Sequence, residues 1–298
     1  MKNKILILLY LIFLLCFSST KTFSKDEFSF DVTNIEIFEN GKIFKGTDRG
    51  TIRSNSGIIL TADNFEYNKN KNILTANGLV VIEDKINNLK LFTDNIIYEK
   101  NNEKIITNGN SKAIYNKNKI IEGKFFEYNK KLNLLNARKN VIILDKLKNY
   151  VLEAEEVSYF KNNEKILTKG STKANINNNY EIKSKNIIFF VDKNILESNN
   201  KTIVKDKKHQ VFNLEKFQFS LNDEILKWDK ITYITNFGSP KSDKLYFSNA
   251  IVDLKNNNFI AKDTLIEVHN DVFGNSENNP RLKGVSSKKK GKITKIEK

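Results

Sequence analysis

Cysteine is nearly missing from this 298-residue chain, with one copy at Cys16. A single thiol excludes a disulfide scaffold and a thiolate metal site. Histidine occurs only as His209 and His269, far apart and without metal-ligand spacing. His209 lies among Lys205, Asp206, Lys207 and Lys208, which reads as a solvated turn, and the lone Trp228 reads as core. Two prolines and twelve glycines exclude collagen-like and Gly-rich low-complexity chains. Only Arg49, Arg53, Arg138 and Arg281 are available for the cluster a polysaccharide lyase would need. No nucleophile elbow, P-loop or paired-cysteine motif occurs. The chain is therefore expected to be no enzyme and to hold neither cofactor nor metal.

What is abundant is lysine and asparagine. Fifty Lys and Arg against 35 Asp and Glu leave a net charge of +15. An AT-biased coding sequence produces the same Lys/Asn/Ile richness, so the charge alone names no partner. Apolar residues make up 39% and aromatics 11%, enough to bury a core in a chain of this length.

The N-terminus reads as an address. Lys2 and Lys4 precede an unbroken apolar run from Ile5 to Phe17, thirteen residues long. A spanning helix needs about 20, whereas the h-region of a secretory signal is shorter. Thr22 and Ser24 stand at −3 and −1 for cleavage before Lys25, so residues 1–24 are expected to be a signal peptide. Leu15 before Cys16 is not small, which argues against lipidation. Loss of Lys2, Lys4 and Lys21 leaves 15 − 3 = +12 and no cysteine. The mature chain is expected to be exported, and nucleic acid is then no expected partner.

The rest is repetitive. An apolar anchor recurs at Phe30, Leu60, Leu91, Ile121, Leu152, Ile182 and Phe212, at intervals of 30, 31, 30, 31, 30 and 30 residues. A small or apolar residue follows at +2, an apolar one at +5 and a large, mostly aromatic one at +7. Leu60-Ala62-Phe65-Tyr67 and Leu152-Ala154-Val157-Tyr159 are clear copies; Phe30-Val32-Ile35-Ile37 opens the series, and Leu245-Phe247-Ala250-Val252 is a worn eighth. This is period-2 alternation with one slip between +2 and +5. A slip throws later side chains onto the wrong face unless the strand bulges or bends there. Polar pairs fill it: Asp63-Asn64, Asp94-Asn95, Glu155-Glu156 and Lys185-Asn186. Their periodic recurrence predicts a structural corner rather than a catalytic carboxylate pair.

Apolar doublets follow each +7 position, as in Ile73-Leu74 and Ile166-Leu167, after Asn/Lys turns of hairpin length. Gly78 or Asn140 then leads into a third apolar stretch, so each repeat reads as two or three short antiparallel strands. No sustained 3.6-residue stripe is present. The fold class is all-β, an elongated array of seven to eight repeats. An outer-membrane barrel fits poorly, because the alternating runs of about seven residues are shorter than the 9–11 of a spanning strand.

The unit Leu60-Thr61-Ala62-Asp63-Asn64-Phe65-Glu66-Tyr67, closed by Ile73-Leu74-Thr75-Ala76-Asn77-Gly78, resembles the repeat of the OstA-like lipopolysaccharide-transport family, which includes LptA and the N-terminal domain of LptD. Leu152 to Gly170 is a second copy, and Phe273 to Ser287 resembles the LptD stretch before its barrel. The likeness covers roughly residues 35–287. It departs at the end, where the chain runs from Lys288 to Lys298 without a cysteine or a barrel. The expectation is either a free-standing bridge component or a truncated LptD-like relative.

The resemblance implies a folded-over β-jellyroll over 25–272, with a partly disordered tail at 273–298. It implies an exported protein, periplasmic or associated with the outer membrane, whose apolar interior shields the acyl chains of lipopolysaccharide (lipid A). Leu60, Phe65, Tyr67, Ile96, Tyr98, Phe126, Tyr128, Val157, Tyr159, Ile187 and Phe189 would line that trough. The implied partners are other transport proteins, joined end to end by strand pairing, and an outer-membrane β-barrel. The docking edges would be Phe30, Val32, Ile35 and Ile37 at one end and Leu245, Phe247 and Val252 at the other. A closed β-solenoid acting as a surface adhesin or polysaccharide-binding module is the alternative.

Overall fold

The computed structural model describes residues 27–274, 277 and 279–298. The expected signal peptide, with Cys16, lies outside the described residues. The described chain forms one 23-stranded sheet in which every pairing is antiparallel. Each long strand pairs with the one before and the one after it, so the sheet is a meander. The coiled path of a solenoid is absent among the described residues.

The predicted corner is where the strands bend. Strand Ile58–Ala62 breaks at Asp63 and resumes as Asn64–Asn68, and Lys119–Gly123 breaks at Lys124 before Phe125–Asn129. Elsewhere the strand runs through as a bulge: the register shifts between Asn77 and Val80 opposite Asp94, and between Arg138 and Val141 opposite Glu155. Bulges of this kind supply the kink that lets one strand contribute to two facing half-sheets. Gly78 and Gly170 occupy it with φ of +79° and +81°, and a Cβ there would lie 2.5 Å from Asp63 Oδ2 and 2.3 Å from Glu155 Oε2. A Cβ would have to push these carboxylates aside, and the positive φ favours glycine independently.

This geometry corrects the expected strand count. The stretch after Gly78 is no third strand; it is the second half of Ile73–Asp84, and Leu134–Asp145 and Lys165–Ile176 are built the same way. Each repeat is therefore two long, bent strands. Hairpin turns collect on two rims, one formed by the free ends of each half-sheet. Asn72, Asn88, Asn133, Asn149 and Asn194 close turns with φ between +47° and +54°. Asparagine tolerates that left-handed conformation, which gives the Asn-rich turns a structural role.

Arg281–Lys290 and Ile293–Glu297 continue the meander. The segment expected to be a partly disordered tail thus adds two strands. Its alternation is hidden in sequence because lysines occupy most outward and several flanking positions.

Candidate functional site: the core and its mouth

The period-2 positions face the space between the half-sheets. Leu60, Phe65, Tyr67, Ile96, Tyr98, Phe126, Tyr128, Val157, Tyr159, Ile187 and Phe189 are each at most 5% exposed and belong to one apolar cluster. That cluster runs without a break from Phe28 to Ile266. The corner side of the core carries paired hydroxyls, such as Thr168 to Thr172 at 2.7 Å and Ser184 to Thr202 at 2.6 Å, which satisfy one another where the ladder is interrupted.

Opposite the corner, the two rims meet. The +7 aromatics sit there and touch groups about 40 to 47 residues away on the other rim, and Tyr98 also touches Phe28, 70 residues before it. Phe28 packs edge-on against Tyr67 and Tyr98, with ring centroids 4.8 and 5.7 Å apart. Tyr115 meets Tyr159 at 5.2 Å, Tyr150 meets Phe189 at 4.9 Å and Tyr180 meets Phe219 at 5.1 Å, all near perpendicular. Edge-to-face pairs of this kind add about 0.5–1.5 kcal/mol beyond burial.

Three rungs of the N-terminal half also carry charge. Glu103 accepts from Ser56 Oγ at 2.9 Å and Tyr98 OH at 2.7 Å, and pairs with Lys100. Asp84 accepts from Tyr128 OH and Lys130 Nζ, each at 2.8 Å, and from Asn87 Nδ2 at 2.7 Å. Lys119 Nζ donates to Tyr159 OH at 2.8 Å and to Glu164 Oε2 at 3.0 Å, while Tyr159 OH donates to the same carboxylate. Burial alone would raise these three carboxyls, but their cations and hydroxyl donors outweigh it and hold each below its ordinary range. Burial lowers the Lys119 ammonium despite Glu164 and Asp145. Burial also raises Tyr98, Tyr128 and Tyr159, which stay protonated donors at any physiological pH.

These contacts across the mouth all use side chains. Backbone hydrogen bonds at the turns instead join neighbours on one rim, as from Lys130 N to Glu103 O on one side and Lys146 N to Asn118 O on the other.

The expected docking edges fare differently. Among the described residues, strand Phe28–Phe38 is paired only with Ile43–Ser54, and its outer side is open there. Ile35 and Ile37 on it are exposed, while Phe30 and Val32 are half-buried. Leu245, Phe247 and Val252 are not on an edge: Lys244–Asp253 is paired on both sides, with Ile225–Ile234 and Asn258–Glu267, and these side chains are buried. Among the described residues, the open strand at that end is Ile293–Glu297.

Sequence reasoning missed Asp84, Glu103, Lys119, Lys130 and Glu164, and also Tyr115, Tyr150 and Tyr180. One signal was present: Lys100-Asn101-Asn102-Glu103 returns as Lys161-Asn162-Asn163-Glu164, two repeats later. Both form a single 3-10 turn whose Glu is left-handed, at φ +50° and +43°. Among the described residues, no group of three or more His, Cys, Asp or Glu is placed to hold a metal, and no helix is long and apolar enough to cross a membrane.

No protein-family model and no curated protein matches the chain. Among solved structures it is similar to LptH of Pseudomonas aeruginosa, described as the LptA homologous periplasmic component of the conserved lipopolysaccharide transport device. The match has a TM-score of 0.35 at 17% identity, covering 37% of this chain and 81% of that one.

Proposed function

We propose that the chain is a periplasmic lipopolysaccharide-transport component whose interior shields lipid A acyl chains. The observation that carries this reading is the mouth. A continuous apolar core lies behind a seam whose cross-rim contacts all run through side chains, so the half-sheets can part without breaking a strand ladder. Exposing a saturated chain of a dozen carbons costs on the order of 10 kcal/mol at about 0.8 kcal/mol per methylene, so such a lipid needs shielding along its whole length. Parting a charged rung costs less, about 3–6 kcal/mol for two hydrogen bonds to charged groups.

In this reading Leu60, Phe65, Ile96, Phe126, Val157, Ile187 and Phe189 line the path. Tyr67, Tyr98, Tyr128 and Tyr159 stand at its mouth. The open strand Phe28–Phe38, with Ile35 and Ile37, takes an edge strand from another transport protein. Ile293–Glu297 serves the other end, toward a further transport protein or an outer-membrane barrel. Lys2, Lys4 and the apolar run 5–17 support export.

The test is in-cell photocrosslinking with a benzophenone side chain at Phe126 or Tyr159. A lipopolysaccharide-sized adduct that requires transport energy is the expected result. Adducts formed only within the chain, from folded and well-expressed protein, would overturn the reading.

A further inference from the structure

Five successive turns of one rim carry charge of a single sign, although the rim's C-terminal turns add Asp243 and Asp271. On the rim formed by the turns after Asp84, Tyr115, Asp145, Ile176 and Asp206, the tips are residues 85–88, 116–118, 146–149, 177–179 and 207–210. Their only formal charges are Lys85, Lys117, Lys146, Lys148, Lys207 and Lys208, with no carboxylate. The opposite rim mixes signs, with Glu39, Asp192 and Asp223 among its lysines.

The single sign has a local cause. The acids that begin these turns point inward and bind the tip's own backbone. Asp145 Oδ1 accepts from Leu147 N at 3.1 Å and Lys148 N at 2.9 Å, and Asp206 Oδ1 accepts from Lys208 N and Gln210 N at 2.9 Å. Asp84 does the same with Asn87 N and is fully buried. Lys85, Lys117, Lys146 and Lys207 project outward from these tips, while Lys148 and Lys208 reach across the mouth to the Val191 and Leu254 carbonyls. The turns are also tied together, Asn116 N to Asn88 O at 3.2 Å, Lys146 N to Asn118 O at 3.1 Å and Asn177 N to Asn149 O at 2.9 Å. With two strands between turns at about 4.8 Å spacing, the five tips form a ridge about 38 Å long.

Apolar side chains stand among the lysines. Ile86 is 72% exposed and Leu147 77%, each flanked by lysine. Alternating cations and aliphatic tips fit an interface of phosphate headgroups over hydrocarbon, where each lysine gains Coulomb attraction and each aliphatic tip leaves water.

We propose that this rim docks on an anionic bilayer surface, lysines on the phosphates and Ile86 and Leu147 in the headgroup region. This goes beyond the acyl-chain reading and does not depend on it, since nothing needs to enter the core.

The test is sedimentation of the full chain with vesicles of phosphatidylglycerol or of phosphatidylcholine. The readout is the ratio of the two partition constants, in which a contribution from the apolar run 5–17 cancels. The variant K85Q/K117Q/K146Q/K207Q should lower that ratio about 600-fold, at roughly fivefold per lysine. The variant K124Q/K139Q/K185Q/K201Q removes the same charge at the bend, away from the mouth, and should lower it much less. Equal losses from the two variants would overturn the proposal, because net charge and not the rim would then govern binding. In a second measurement, Leu147→Trp should shift its emission to the blue with phosphatidylglycerol vesicles while Lys139→Trp does not. A shift at neither site, or at both alike, would also overturn it.

Discussion

Asp84 and Asp206 occupy the same place in their turns, on one rim and four repeats apart, yet their environments oppose each other. Both carboxylates accept amides of the tip that follows them. Asp84 also receives Lys130 and Tyr128 from across the mouth, which holds its carboxyl below the ordinary range although burial works the other way. Asp206 is dominated by burial, which its own turn's amides and Lys208 do not offset, and its carboxyl is raised. The nearby contact across the mouth runs instead from Lys208 Nζ to the Leu254 carbonyl at 3.3 Å. The N-terminal half of the mouth is thus held by charge on top of ring packing. The C-terminal half relies on Tyr150 with Phe189, Tyr180 with Phe219, and neutral or singly charged hydrogen bonds.

The largest effect expected from this difference is on stability. Asp84→Ala leaves Lys130, Tyr128 and Asn87 without their acceptor in a nearly dry site and should cost about 3 kcal/mol, since breaking a buried pair strands the remaining charge. Asp206→Asn keeps an acceptor for the turn and discards a buried charge, so it should change stability by less than about 1 kcal/mol. Urea unfolding midpoints of the two variants check this. Similar losses at both positions would erase the distinction between the halves.

Acid should separate the halves next. Asp84, Glu103 and Glu164 have folded pKa values below their unfolded ones, so the folded state binds fewer protons between those limits. Their contribution is complete above the ordinary carboxylate range and is lost as pH falls through the lowered values. Asp206 has the opposite sign: its folded form prefers the proton, so its cost at neutral pH is relieved as pH falls through its raised value. Below about pH 4, amide exchange should accelerate first around Glu103, Tyr128 and Glu164, and later around Tyr180 and Phe219. Uniform acceleration along the mouth would count against the charged rungs as its closure.

A smaller effect tests the C-terminal rung. Tyr180 OH donates to Glu224 at 2.7 Å, and its ring packs on Phe219. Tyr180→Phe keeps the ring and removes one hydrogen bond, so the expected loss is about 1–2 kcal/mol in the same unfolding assay.

The inside of the sheet was legible in sequence because a strand's period is local. The anchors, the +5 and +7 residues, and the slip at Asp63 or Glu155 lie within eight residues of one another. The mouth was not legible, because Asp84 meets Lys130 only after the intervening strands have bent and twisted. No local pattern encodes that offset; only the recurrence of Lys100 to Glu103 as Lys161 to Glu164 hinted at it. The misplaced edge has a similar origin. Leu245 to Val252 looked terminal because a long connection follows Asn258–Glu267, and the strand after it, Arg281–Lys290, carries few large apolar residues.

The smallest expected effect concerns the point where the two kinds of closure meet. Tyr115 lies among the charged rungs, but its hydroxyl is buried without a hydrogen-bond partner, while its ring stands 5.2 Å from that of Tyr159. Burial raises its pKa, with the Asp84 charge adding to the shift, so the hydroxyl remains neutral. Tyr115→Phe removes a polar atom that gains nothing from being inside and keeps the ring contact. It should leave stability unchanged or raise it by up to about 1 kcal/mol, whereas Tyr128→Phe, which loses the bond to Asp84, should cost about 1.5–3 kcal/mol. If the two variants lose stability equally, the Tyr115 hydroxyl has a partner in solution, and that rung belongs with the charged ones; if they diverge as expected, ring packing closes the mouth even within its charged half.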